Sequence, residues 1–221
     1  MFRKILEFRI LKAIVALSRD PESTENIHFI NDSLLAGIST AEREKFTHLF
    51  FEYPEFKDRY NEPRTPEHYD IETLSRLPEN TLGFQYTKFL KDHNYSVEWY
   101  PILKEISPLH FGRNRQYQTH DIIHTITGFS GKPLNEIGLQ GFYTAQAVPN
   151  PTPMTVFTAA ALNKLQISDP EANIELMDHI MSGYMMGKKA KRVIFRRWED
   201  DWSTDISKLR DELGIHPYTA K

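Results

Sequence analysis

The sequence predicts an all-α fold: a single-domain helical bundle with Pro-rich connecting loops, covering residues 1–221. Three observations lead there. Apolar residues recur at three- and four-residue steps through most of the chain. Clean period-two alternation bounded by turn signals is absent. The prolines gather in short breaks between the periodic runs, and no internal repeat or long linker divides the chain. With 221 residues, 40% of them hydrophobic and 26% charged, the chain can bury one sizeable core and is short for two.

In chain order, "MFRKILEFRILKAIVALSRD" reads as a first helix. Its basic residues Arg3, Lys4, Arg9 and Lys12 accompany Phe2, Ile5, Leu6 and Phe8, which leaves two readings, an ordinary bundle helix or a basic amphipathic helix on a membrane surface. Its longest apolar run, Ala13 to Leu17, is too short for a membrane span or a signal core. "STAEREKFTHLFFEYPEF" predicts a helix capped by Ser39 or Thr40 and stopped before Pro54. Residues 55–83 are proline-broken and poor in apolar side chains, so they read as a surface connection with at most a short helix from Ile71 to Leu77. "TLGFQYTKFLKDH" restores the helical period. A helix through His120 ends at Gly128 and Gly131, Pro133 opens the next one, and "AVPNPTPM" separates that from "TVFTAAALNKLQ". Near the C-terminus, Lys188, Arg192 and Arg196 fall at four-residue steps, with Lys189, Lys191 and Arg197 beside them. That predicts a basic helical stripe, either solvated or docked on an anionic group. Ser203 or Thr204 is expected to cap a last helix.

Composition removes several function classes. A formal net charge of -3 gives no electrostatic reason to bind polyanions, so nucleic acid is not an expected partner. The absence of cysteine removes disulfides, thiol catalysis and thiolate metal sites, and fits a reducing compartment. The expected location is the cytoplasm, with peripheral attachment to the inner face of a membrane as the extension the basic residues allow.

The chemistry concentrates in "HDIIHTITGFSGKPLNE". On a helix, His120 and His124 lie about 40° apart and Asp121 about 100° from His120, so two imidazoles and a carboxylate share one arc. Tyr117 lies on that arc one turn earlier. After the loop, Glu136 projects from the first turn of the next helix and can return its carboxylate toward the preceding one. Two imidazoles with one or two carboxylates form a nitrogen and oxygen shell for one divalent ion, zinc or magnesium, and a satisfied pair of core histidines is the competing account. The spacing also differs from that of zinc peptidase helices, where a Glu follows the first His as general base. Here the shorter Asp121 stands in that position.

Eleven residues separate His124 from Glu136, and this HDxxH-x11-E pattern resembles the motif of the coenzyme Q (ubiquinone) biosynthesis protein 4 family. "RLPENTLGFQYTKFL" and "GKKAKRVIFRRWEDDWSTDISKLRDELGIHP" are similar to that family's flanking regions, so the resemblance runs from about Arg76 to the end and more loosely over the first helices. It implies an all-α fold, with His120, Asp121, His124 and Glu136 as metal ligands and catalytic residues. It further implies a place in ubiquinone or prenylquinone synthesis on a polyprenylated aromatic acid. There the family is associated with oxidative loss of the ring C1 carboxyl group and with organising the other pathway enzymes at a membrane. A non-catalytic isoprenoid-lipid-binding scaffold is the alternative reading, and a homodimer is expected. The run "RNRQYQTHD" keeps Arg115 but carries Tyr117 and Gln118 where the family pattern has charged residues, so Arg115 and Tyr117 are candidate substrate contacts. Gly138, Gly141 and Ala145 form a four-residue stripe of small side chains beside Phe142. It reads either as close helix packing or as a bed for the isoprenoid tail.

Overall fold

The computed structural model describes residues 2–20, 23–61, 69–96, 107–146, 151–167 and 169–219, apart from the side chains of 2–6, 24 and 165–167. Among these residues the fold is all-helical, with eleven α-helices and no strand beyond one isolated bridge between Thr81 and Asp205. The helices are α1 (Phe2–Arg19), α2 (Thr24–Gly37), α3 (Thr40–Phe51), α4 (Pro54–Asn61), α5 (Ile71–Leu74) and α6 (Leu82–His93), then α7 (Pro108–Thr127), α8 (Pro133–Ala145), α9 (Thr152–Ile167), α10 (Pro170–Lys189) and, after a 3-10 turn (Trp198–Asp201), α11 (Ile206–Leu213). No helix among the described residues is long and apolar enough to cross a membrane.

Local chemistry accounts for most boundaries. Ser39 accepts from the Glu42 amide while Glu42 reaches back to the Ser39 amide, a reciprocal cap that starts α3. Thr81 caps α6, and Asp205, not Ser203 or Thr204, caps α11 by accepting from the Ser207 and Lys208 amides. Pro108 and Pro133 sit in the first turns of α7 and α8. Gly128 ends α7 in the left-handed region at φ +79, and a Cβ there would meet the Tyr218 carbonyl oxygen at 2.9 Å.

The α7 helix is the centre of the bundle. Ile122, Ile123 and Ile126 are fully buried, and polar Asn114, Arg115, Thr119 and Thr127 are buried with them, as expected of a helix surrounded on all sides. Its C-terminal carbonyls are tied down from a distance: the Arg210 guanidinium donates to Thr125 O and Ile126 O at 2.9 Å each, and the Tyr218 amide donates to Thr127 O at 2.7 Å. The Tyr218 ring stacks on Phe129 at 4.7 Å.

Three sequence expectations change here. Residues 55–61, read as part of a surface connection, belong to α4, because Phe56 is fully buried in an aromatic cluster with Phe50, Phe111 and Phe195 at centroid distances of 5.0, 5.3 and 4.9 Å. The basic stripe does not exist: α10 stops at Lys189, and Arg192 and Arg196 follow in an irregular segment. Arg192 lies over the Tyr53 ring at 4.6 Å, and Arg196 pairs with Asp201 at 2.6 Å and Glu212 at 3.4 Å. Of the "AVPNPTPM" break, residues 147–150 lie outside the described residues, and α9 already begins at Thr152.

The small-residue stripe is helix packing. Gly138 and Gly141 on α8 face Gly183 and Gly187 on α10 so closely that a Cβ at Gly141 would run into Ile180 O, one at Gly183 into Gly138 O, and one at Gly187 would meet Phe142 O at 2.7 Å. Phe142 is fully buried in the core. No tail can lie along this face, since backbone already occupies it. Gly183→Ala is therefore expected to cost about 1–3 kcal/mol through forced separation of the two helices. Gly37→Ala, with nothing within 4 Å of the added methyl, should be neutral or slightly stabilising. Thermal unfolding of the two variants checks this, and equal melting temperatures would contradict it.

Candidate functional site

His120 and His124 project from successive turns of α7, and the five-residue loop after Thr127 brings Glu136 of α8 back to them. His124 Nε2 lies 3.1 Å from His120 Nε2 and 3.0 Å from Glu136 Oε1, and His120 Nε2 lies 3.5 Å from Glu136 Oε2. One ligand atom from each of the three falls within 4.8 Å of the others.

The loop orients as well as connects. His124 Nδ1 stands 2.9 Å from Phe129 O, and since a carbonyl only accepts, Nδ1 carries the proton and Nε2 is turned toward the site. The His124 ring is buried and stacks on Phe89 at 5.2 Å. His93, one turn beyond Phe89, supports the same loop: Gly131 N–H donates to His93 Nε2 at 3.2 Å, and His93 Nδ1 faces Phe89 O at 2.8 Å. Both His93 nitrogens are thereby used.

Electrostatics follow from this clustering. Burial by itself would raise the Glu136 carboxyl, but His124 and His120 beside it prevail and hold it well below the usual carboxylate range. Burial pulls His124 down, yet the charge and hydrogen bond of Glu136 outweigh it and its pKa is raised. Burial pushes the Asp121 carboxyl up and keeps the Tyr143 phenol far above its ordinary range.

These residues fit a divalent ion. Two imidazole nitrogens and a carboxylate converge, a backbone carbonyl fixes one imidazole in the ligating tautomer, and Asp121 Oδ1 nearby is buried without a hydrogen-bond partner. His120, His124 and Glu136 would hold the ion. Asp121, expected beside them, stands outside the three-atom cluster, because its side chain leaves α7 on a different radius from the two histidines.

His120, Asp121 and Glu136 line one cavity of about 850 Å³, while His124 is buried and does not reach its wall. Its remaining wall is largely apolar, with Leu17 of α1, Ile27 of α2, Leu134 and Ile137 of α8, Val156 and Ala160 of α9 and Leu176 of α10. Tyr117 also lines it, with His28 Nδ1 at 3.3 Å and Asn31 Nδ2 at 3.2 Å from its hydroxyl. Arg115 does not. It is buried away from the cavity, its guanidinium paired with both oxygens of Glu199 at 2.7 and 2.9 Å and with Arg196 O at 2.9 Å. Gly138, Gly141, Phe142 and Ala145 lie outside the cavity wall as well, on the α10 side of α8.

Sequence reasoning missed Gln140 and Tyr143, which line the cavity four and seven residues after Glu136. Helical periodicity from Glu136 would have found them. It also missed Phe89, His93 and the whole wall from α1, α2 and α9, for which no local signal exists.

Comparison with known proteins places this geometry in a lineage. The family described as Coenzyme Q (ubiquinone) biosynthesis protein Coq4 matches residues 60–219. The ubiquinone biosynthesis protein COQ4 homolog 2, mitochondrial, of Paramecium tetraurelia is 31% identical over 159 residues, 70% of this chain and 73% of that protein. The mitochondrial COQ4 homolog of Aedes aegypti is 26% identical over 148 residues, 66% of this chain and 53% of its own, so the chain spans about half the length of that relative. A crystal structure of a candidate ubiquinone biosynthesis protein from Nostoc punctiforme shares the fold, with a TM-score of 0.77 at 24% identity over 95% of this chain and 98% of that one. With the two histidines and the glutamate of HDxxH-x11-E brought into one cluster and the match running from residue 60 almost to the end, the chain belongs to the Coq4 family of ubiquinone biosynthesis proteins.

Proposed function

We propose that this protein is a metal-dependent component of ubiquinone or prenylquinone synthesis that takes a polyprenylated aromatic acid, uses dioxygen as the oxidant to remove the C1 carboxyl group as carbon dioxide and place oxygen at that ring position, and binds the isoprenoid tail. The observation that carries the reading is the cluster of His120, His124 and Glu136 set at a cavity that His120 and Glu136 line and whose remaining wall is largely apolar, a volume within the range of about 300–1,000 Å³ usual for ligand sites. A bound divalent ion supplies Lewis-acid polarisation of a carboxylate or phenolate. The protein's own groups do the rest. Phe129 O keeps His124 in one tautomer and orientation. Tyr143, held protonated by burial, keeps a hydroxyl 3.4 Å from His120 Nδ1. The apolar wall of α1, α8 and α9 excludes water from the ring and follows the tail.

The second reading is a scaffold that presents a bound prenyl lipid to partner enzymes. Exposed Ile174, Met177, Met181 and Met185 on α10, and Phe8 and Leu11 on α1, support it, since such stripes suit a second copy of the chain, another pathway enzyme or a membrane face. Mass spectrometry of lipids extracted from the purified protein, together with turnover of a prenylated hydroxybenzoate with and without added zinc, magnesium or manganese, separates the two. Metal-dependent loss of carbon dioxide is the expected result, and a bound lipid with no turnover under any metal would favour the scaffold. Ala160→Phe, which fills the wall opposite α8, should lower isoprenoid binding at least fivefold and leave metal content unchanged. Undiminished lipid binding in that variant would remove the tail from this cavity.

A further inference from the structure

One residue near the C-terminus grips Thr127, Gly128 and Phe129, where α7 ends and the loop to α8 begins. The Tyr218 amide donates to Thr127 O at 2.7 Å. The Tyr218 carbonyl oxygen and the Pro217 side chain pack so closely on Gly128 that a Cβ there would meet them at 2.9 and 3.1 Å. The Tyr218 ring stacks on the Phe129 ring at 4.7 Å with 20° between their planes. The far end of the side chain is anchored as well. His179 Nδ1 faces Glu175 O at 2.8 Å and so carries the proton, which leaves Nε2 to accept from the Tyr218 hydroxyl at 3.1 Å. Phe129, 1% exposed, also meets α8, where a Cβ at Gly138 would come within 2.6 Å of its ring. The Phe129 ring is thus clamped between the C-terminal segment and the helix that bears Glu136.

We propose that Tyr218 is a positioning residue for the His120, His124 and Glu136 cluster: by holding Thr127, Gly128 and Phe129 it fixes the Phe129 carbonyl that keeps His124 Nε2 turned toward the site. The proposal rests on the reading of that cluster as a metal site. Phe129 O is a backbone atom, so its direction follows from the dihedral angles of the loop and not from a rotamer. Glycine adopts many backbone conformations at low cost, so Gly128 alone does not specify where the next carbonyl points. The contacts of Tyr218 on either side of it do. Tyr218 is not part of the cavity wall, so its influence on the cluster passes through the loop. Groups that orient a ligating imidazole through its second nitrogen typically change metal affinity by about 10–100-fold, and Tyr218, one contact further out, belongs at about the tenfold end.

The test is zinc affinity, measured on the full chain by competition with a chromophoric chelator, with the visible absorption of the cobalt(II)-loaded protein as a second readout. Tyr218→Ala should bind zinc about tenfold more weakly than wild type and alter the cobalt band, because His124 loses its fixed orientation. Tyr218→Phe keeps the amide and the stacked ring and gives up only the hydrogen bond to His179, so it should bind zinc nearly as wild type does. Arg115→Ala, destabilised away from the cluster, should keep the wild-type affinity and cobalt band, which separates positioning from stability. Unchanged affinity and band in Tyr218→Ala, or equal losses in Tyr218→Ala and Arg115→Ala, overturn the role. If Tyr218→Ala does not fold, as judged by circular dichroism, Tyr218→Leu, which keeps apolar bulk without the flat face, takes its place, and an unchanged affinity there overturns the role equally. Wild-type protein that binds neither zinc nor cobalt removes the metal reading and this role with it. Tight binding by wild type and Tyr218→Ala alike removes the role of Tyr218 and leaves the metal reading standing.

Discussion

Replacing His124 with alanine is expected to take the protein from about one divalent ion per chain, measured by elemental analysis after native purification, to none. Three protein donors converge on the site, and removing the buried one leaves His120 and a carboxylate, too few to retain an ion through dialysis. The change also removes the ring stacked on Phe89 and strands Phe129 O, which adds about 1–3 kcal/mol of destabilisation. His120→Ala should lose the ion too while disturbing the fold less, because that ring is partly exposed. Unchanged metal content in both variants would eliminate the site. The pH dependence carries a sign. His124 titrates above its ordinary range, so protons compete with the ion and its affinity falls as pH drops through that raised value. Without metal the order reverses: the His124 contribution is complete below about 6.5 and fades as pH rises through the raised pKa. The Glu136 contribution is complete above the usual carboxylate range and is lost only in strong acid. Adding zinc should therefore move the pH of maximum thermal stability upward, and an unmoved optimum would contradict the assignment.

Arg115→Ala is expected to destabilise the protein by about 3–5 kcal/mol, the usual cost of leaving one member of a buried ion pair uncompensated. The guanidinium is 1% exposed and bridges α7 to the C-terminal segment through Glu199 and Arg196 O, with the Tyr69 hydroxyl at 3.3 Å. For a chain of this size that loss corresponds to a melting temperature about 10 °C lower. Metal content per folded molecule should not change, because the pair lies outside the cavity. The double variant Arg115→Met with Glu199→Leu should recover much of the loss, since a well-packed apolar pair replaces a buried ionic one at little cost. Burial opposes ionisation of Glu199, but Arg115 wins and its pKa is lowered. Its stabilisation is thus present above about pH 4.5 and disappears as pH falls through the depressed value. Acid denaturation that begins at the same pH in wild type and in the double variant would show that this pair does not govern it.

Short-range chemistry was readable in the sequence wherever a residue acts on its own backbone. The reciprocal cap of Ser39 and Glu42, the left-handed stop at Gly128, the proline start at Pro133 and the four-residue spacing of His120 and His124 are all set within one or two turns, so a linear string contains them. The all-α fold class followed from the same periodicity, and the first-turn position of Glu136 after the loop already offered it as a further donor, which the resemblance then made a ligand. Tertiary structure decided whatever depends on which helices meet. The stripe of Gly138 and Gly141 looks the same in sequence whether it faces a lipid or a helix, and only the approach of α10 shows that backbone fills it. Arg115 looked like a substrate contact because its partner, Glu199, is 84 residues away. The segment after Lys189 keeps four-residue spacing among its cations yet leaves the helix, because Val193, Ile194 and Phe195 are drawn into the core and Gln146 takes the Val193 amide. The cavity wall, assembled from α1, α2, α8, α9 and α10, has no local signature at all. Burial of apolar surface is non-directional and pairs elements regardless of their separation along the chain, so the ligand space beside a readable metal motif was settled only by packing.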